Sequence, residues 1–107
     1  MFDLFFKKKE GDLDGQEFKT QYLADKSHVL LDVRTLGEYQ SGSLLGAKNM
    51  DVMAPDFINK MEKLDKSKTY YVFCRSGNRS GSAVKMMHQQ GLKAFNLVGG
   101  IGAFPKY

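Results

Sequence analysis

The chain has 107 residues, of which 42% are hydrophobic and 26% charged, with a formal net charge of +4. That is one domain's worth of sequence, long enough to bury a core without disulfides or metals. A single cysteine excludes an internal disulfide and points to a reducing compartment, the cytoplasm.

The N-terminal stretch MFDLFFKKKEGD places Phe2, Leu4, Phe5 and Phe6 ahead of Lys7, Lys8 and Lys9. A signal peptide has the reverse order, and this apolar cluster is far too short to span a bilayer. No other stretch reads as a transmembrane segment. Residues 1–14 are therefore expected to be a tail or a short capping segment, and residues 15–107 the folded domain. Elsewhere the basic residues are dispersed and no aromatic residues interleave with them, so nucleic acid is not an expected partner.

From residue 15 onward, helical and strand patterns alternate. Phe18 and Tyr22, four apart in GQEFKTQYL, predict a short helix. HVLLDV at 28–33 reads as a buried strand. TLGEYQSG at 35–42 predicts another short helix, with Thr35 as N-cap and Gly42 as stop. GAKNM at 46–50 is a weaker strand candidate. In PDFINKMEKL, 55–64, Phe57, Ile58, Met61 and Leu64 form one apolar face, with Pro55 in the first turn. YYVFC, 70–74, is a second buried strand. SGSAVKMMHQQG follows as a helix that puts Ala83, Val84 and Met87 on one face and ends at Gly91. AFNLV, 94–98, is the third strand. The expected fold is α/β, a small mainly parallel sheet flanked by helices on both faces. Ligands of such sheets gather at the carboxyl ends of strands, where Cys74 lies.

The segment Cys-Arg-Ser-Gly-Asn-Arg, residues 74 to 79, joins that strand to a helix starting near Ser80. A lone cysteine ending an apolar strand is by itself commonly inert core. Here Gly77 and Asn78 tolerate backbone angles that turn several N–H groups toward one point, with a helix N-terminus behind them. Arg75 and Arg79 add positive charge. Such surroundings lower a thiol pKa and stabilise an attached anion, which indicates nucleophilic attack by a thiolate.

These residues carry a family resemblance. CRSGNRS after an apolar strand, followed by a helix and FNLVGGIGAF, resembles the second half of a rhodanese domain. LLDVRTLGEYQSGSLLGAKNM resembles the first half. Together the match runs from about residue 15 to residue 104. The resemblance implies a sulfurtransferase in which Cys74 takes a sulfane sulfur from a donor such as thiosulfate as a persulfide. It then passes the sulfur to a thiol, cyanide or protein acceptor. The backbone of Arg75, Ser76, Gly77, Asn78, Arg79 and Ser80 is expected to cradle the sulfur, with the Arg75 and Arg79 side chains guiding an anionic donor. Asp32 and Arg34 are expected to give structural support as an ion pair near the loop. Glu38 and Tyr39 are expected to tie down the short helix, with Arg34 as a partner for Glu38 at i, i+4. The chain departs from the family pattern in having Ser43-Leu44-Leu45 where His-Ile-Pro is common, and Phe104 where Trp is common.

Other classes fit less well. A cysteine phosphatase has five residues between its Cys and Arg and needs an acid for the leaving oxygen. Here four residues separate Cys74 from Arg79, and the loop holds no carboxylate. A non-enzymatic sulfur carrier or partner-binding module is the remaining alternative. Gly99, Gly100 and Gly102 lack the Lys-Ser/Thr of a P-loop and more simply shape a turn beside the site. One cysteine and two dispersed histidines, His28 and His88, offer no metal-ligand spacing, so neither metal nor cofactor is expected. With no second thiol in the chain, the sulfur acceptor must be external.

Overall fold

A computed structural model of the chain describes residues 9–106. The stretch from Phe2 through Lys8, most of the expected tail, lies outside the described residues. The elements run β1 (Asp12–Leu13), α1 (Gly15–Leu23), β2 (Val29–Asp32), α2 (Leu36–Ser41), β3 (Lys48–Asn49), α3 (Phe57–Glu62), β4 (Thr69–Phe73), α4 (Asn78–Gln89) and β5 (Lys93–Leu97), closing with a 3-10 turn, Ile101–Ala103. All strand pairs are parallel, in the order β1-β5-β4-β2-β3. No helix among the described residues is long and apolar enough to cross a membrane.

The helices form where their ends are satisfied locally. Asp14 and Thr35 each close a capping box, on Glu17 and Glu38. The α4 helix stops as expected. Gly91, at φ +79°, lets its own N–H reach the His88 carbonyl and the Leu92 N–H reach the Met87 carbonyl. The structure corrects the third helix. It is shorter than residues 55 to 64, Pro55 lies in the turn ahead of it, and Ile58 faces solvent while Phe57 and Met61 are buried. Ile58 follows Phe57 by one position, about 100° round the helix, and so leaves the face that Phe57 and Met61 share. A further element was not predicted. Asp12 and Leu13, within the expected tail, pair with Asn96 and Leu97 of β5.

Period-two alternation in β4 splits the core between the two faces of the sheet. Tyr70, Val72 and Cys74 join Phe57, Met61, Ala83, Val84 and Met87 on the side covered by α3 and α4. Tyr71 and Phe73 join Phe18, Leu30, Leu97 and Phe104 on the side covered by α1. Phe18 is wholly buried and meets Tyr71 and Phe104 edge to face, at centroid distances of 5.5 and 6.2 Å. Phe104 thus fills with a smaller ring the place where the family pattern has Trp. Because parity fixes which way each β4 side chain points, Cys74 has to face the start of α4.

Gly81 lies inside α4 with ordinary helical geometry, and a Cβ there would meet nothing closer than Asn96 Nδ2 at 3.6 Å. An interior helical glycine is about 1 kcal/mol worse than alanine. Gly81→Ala should therefore stabilise the protein by roughly that amount, raising the thermal midpoint by about 4–8 °C. An unchanged or lower midpoint in a thermal melt would show that the helix face is more crowded than this spacing implies.

Candidate active site

The peptide leaves β4 at Phe73 and must reverse within a few residues to start α4. Gly77 makes that reversal in the left-handed region, at φ +100°, and serves as N-cap of α4. A side chain there would also press on the Gly99 nitrogen and the Leu97 carbonyl at 3.2 and 3.3 Å. The reversal turns the first N–H groups of the helix inward, onto the cysteine. Gly77 N–H donates to Cys74 Sγ at 3.1 Å and the Ser80 hydroxyl donates at 3.3 Å.

Cys74 has no exposed surface. Burial alone raises its pKa, because it removes water from the charged form. Hydrogen bonds from the Ser80 hydroxyl and from the backbone of Ser80, Gly77 and Ser76 outweigh that cost and hold the thiol below its ordinary value. The donors expected from the sequence as helix-terminal N–H groups are thus joined by a side chain, that of Ser80.

A second segment clamps the loop from behind. Ile101 N–H donates to the Cys74 carbonyl at 2.8 Å. Gly100, at φ +78°, packs so tightly on the loop that a Cβ would overlap the Arg75 carbonyl. The glycines after β5 therefore form a wall of the site. On the same side, Asn96 donates from Nδ2 to Asp12 at 3.0 Å and to the Gly77 carbonyl at 3.4 Å. Asn96 links the edge strand to the turn of the loop, a tie that the apolar reading of AFNLV did not indicate.

Asp32 and Arg34 form the expected ion pair, at 2.7 Å. Both are buried. Arg34 Nε and Nη2 both donate to the Asp32 carboxylate, and Nη2 also donates to the Gly42 carbonyl at 2.6 Å. The hydrogen bond to Asp32 outweighs burial and raises the Arg34 pKa. Ser43, at the position of the missing histidine, donates its hydroxyl to Asp32 at 2.8 Å. Asn49 donates to the Asp32 and Arg34 carbonyls. Together these contacts satisfy the buried polar groups where β2 ends.

The expected pairing of Arg34 with Glu38 is corrected by the structure. Glu38 instead meets Arg79 in a two-pronged ion pair, with Nη1 to Oε1 at 2.7 Å and Nη2 to Oε2 at 3.0 Å. Arg34 is already committed to Asp32, and the loop brings Arg79 to the first turn of α2. The hydrogen bond from Arg79, followed by that from the Thr35 N–H, pushes the Glu38 pKa down to about 2. Tyr39 does tie its helix down, donating its hydroxyl to the Ala47 carbonyl at 2.8 Å. Arg75, Ser76 and Asn78 line the exposed rim of the loop, whereas Ser80 is buried beside Cys74. His28 and His88 lie away from the loop, bonded to the backbone of Gln21 and Ala94 respectively.

Comparison with known proteins finds relatives over most of the chain. The Rhodanese-like domain family model matches residues 15–106. A sulfurtransferase of Allochromatium vinosum is 34% identical over 93 residues, covering 85% of this chain and 85% of that protein. Bacillus subtilis YtwF, a candidate sulfurtransferase, is 38% identical over 86 residues, covering 80% of this chain and 82% of that protein. Among solved structures, a rhodanese-like domain protein from Staphylococcus aureus is similar with a TM-score of 0.76 at 27% identity, over 89% of this chain and 91% of that one. A rhodanese-related protein from Thermoplasma volcanium gives a TM-score of 0.74 at 28% identity, over 88% and 94% of the two chains.

Two outcomes test the geometry. Following the Cys74 13Cβ shift against pH should give a midpoint below that of an ordinary cysteine, and Ser80→Ala should raise it. A midpoint unmoved by Ser80→Ala would assign the effect to backbone donors alone. Since the folded thiol ionises at lower pH than the unfolded one, its stabilising contribution is complete above the unfolded pKa. It is lost as pH falls through the folded value. Gly100→Ala should cost more than about 1 kcal/mol in denaturant unfolding, because both its φ and the Arg75 carbonyl oppose a side chain. A loss within a few tenths of a kcal/mol would mean the wall yields freely.

Proposed function

The chain belongs to the rhodanese-like domain family, and we propose that it is a sulfurtransferase that carries a sulfane sulfur as a persulfide on Cys74. One observation supports this reading above the others: a buried thiol whose sulfur receives hydrogen bonds from Gly77 and Ser80 at the mouth of a parallel sheet. Donors placed to stabilise a thiolate also stabilise the terminal anionic sulfur of a persulfide.

With thiosulfate as donor, the Cys74 thiolate attacks the outer sulfur. A new S–S bond forms, the bond to the sulfonate sulfur breaks, and sulfite leaves with the electron pair. No proton transfer is needed, so the absence of a histidine base from the loop is no obstacle. An external thiolate or cyanide then attacks the terminal sulfur and expels the Cys74 thiolate, which returns to its hydrogen bonds. The backbone from Arg75 to Ser80 supplies the cradle, and Asp32 with Arg34 braces the neighbouring strand end. A reducing compartment, the cytoplasm, suits a protein whose one cysteine works as a thiolate. Phosphate-ester hydrolysis is disfavoured, because the loop offers no acid and Arg79 is held by a carboxylate.

Intact mass spectrometry after incubation with thiosulfate should show one added sulfur, removed by dithiothreitol and absent from Cys74→Ala. Equal gain in that variant would remove the mechanism. Thiocyanate should then accumulate over many turnovers with cyanide present. Release limited to one equivalent would favour a carrier, the role that the name of another relative carries, the candidate sulfur carrier protein YrkF of Bacillus subtilis, 30% identical over 87 residues.

A further inference from the structure

Asn96 is a polar side chain at a position where the fold could hold an apolar one. It lies in β5, only 5% exposed, beside buried Ala94 and Leu97. Its amide rests against α4: a Cβ added at Gly81 would come within 3.6 Å of Nδ2. Nδ2 donates to Asp12 Oδ1 at 3.0 Å and to the Gly77 carbonyl at 3.4 Å. Those two acceptors fix the orientation of the amide, because turning it over would set Oδ1 against both oxygens. Oδ1 is thereby left without a partner, the one buried side-chain polar atom in that state among the described residues. A buried acceptor with no donor opposes folding. Leucine has nearly the same shape and carries no such penalty.

What the amide reaches is Gly77. The Gly77 N–H donates to Cys74 Sγ at 3.1 Å, and its carbonyl accepts from the Gly81 N–H at 3.0 Å as well as from Asn96. Glycine has the widest backbone freedom of any residue, and this one sits at φ +100°. Bonds at both of its ends restrict that freedom, and Asn96 supplies the one that comes from the sheet. We infer that Asn96 is a positioning residue for Cys74, holding the Gly77 turn from β5 so that the Gly77 N–H stays on the sulfur, and that its orphaned oxygen is the cost of that hold. Asn96 acts through Gly77 and not on the sulfur itself. Asp12 belongs to the same arrangement, since its carboxylate orients the amide. What Asn96 does for sulfur loading rests on the sulfurtransferase reading above; what it does for the thiol does not.

Asn96→Leu and Asn96→Ala test this together. Both remove Nδ2 and neither changes a charge, so Asp12, Glu38 and Arg79 keep theirs. They differ in packing: leucine fills the space and removes the orphaned oxygen, whereas alanine leaves a gap. Thermal melts should show Asn96→Leu at least as stable as wild type and Asn96→Ala less stable. The pH midpoint of the Cys74 13Cβ shift should nonetheless rise in both, by about half a unit to one unit. The Gly77 amide should exchange with deuterium about ten-fold faster in Asn96→Leu, while the interior amides of α4 exchange as in wild type. Sulfur loading from thiosulfate, measured by quenched-flow mass spectrometry below the midpoint, should slow by about two- to three-fold in both variants. A midpoint unmoved in both variants, or raised only in Asn96→Ala along with its loss of stability, would overturn the inference. So would a loss of stability in Asn96→Leu as large as that in Asn96→Ala. A midpoint raised in both variants, with no sulfur loaded by any chain including wild type, would support the positioning role and overturn the sulfurtransferase reading.

Discussion

A thiolate cut off from bulk water must find its hydrogen bonds within the protein, or it will take up a proton. Cys74 is in that position, and its nearest partners are the Gly77 N–H and the Ser80 hydroxyl. Both come from a turn that exists only because Gly77 adopts φ +100° between β4 and α4. The turn in turn keeps its shape because other segments press on it. Ile101 holds the Cys74 carbonyl, Gly100 lies flush against Arg75, and Asn96 reaches the Gly77 carbonyl. Much of the chain after β4 thus serves one sulfur atom.

The two ion pairs near the loop do different physical work. Asp32 and Arg34 are buried, so their charges had to be matched and their remaining hydrogen-bonding capacity met by Gly42, Ser43 and Asn49. That cluster fixes where β2 ends and α2 begins. Glu38 and Arg79 are each about 30% exposed, at 30% and 28%, so solvent weakens their attraction. Their value lies in geometry. A guanidinium held at both terminal nitrogens keeps one orientation, and the helix that carries Glu38 is thereby joined to the loop that carries Cys74. The same pairing sets a carboxylate against the Arg79 guanidinium at the edge of the loop.

Much of this was legible in the residues. The runs HVLLDV, YYVFC and AFNLV are apolar because parallel strands are covered on both faces, and each overlaps a strand of the sheet, the last two shifted by one residue. Thr35 and Gly42 bound their helix as a capping residue and a stop should, since both effects act within one turn. Asp32 and Arg34 are two residues apart in an extended strand end, close enough to pair without help from the rest of the fold. Less visible was β1, whose two residues carry no periodicity and become a strand only because β5 offers an open edge. Ile58 followed the apolar pattern yet faces water, because it lies about 100° round α3 from Phe57 and off the face shared with Met61.

What the sequence by itself determined is therefore local: the alternation of strands and helices, the caps, the Asp32–Arg34 pair, and a cysteine at a strand end followed by residues able to turn their N–H groups inward. Each follows from neighbours a few positions apart. Only the tertiary structure decided that Glu38 meets Arg79 across 41 positions, that the Ser80 hydroxyl joins the backbone donors to Cys74, and that Asn96 ties Asp12 to Gly77. Those choices depend on how the sheet orders its strands and on which carboxylate is already taken. No window of sequence contains that information, because it arises only when β2, β4 and β5 lie side by side.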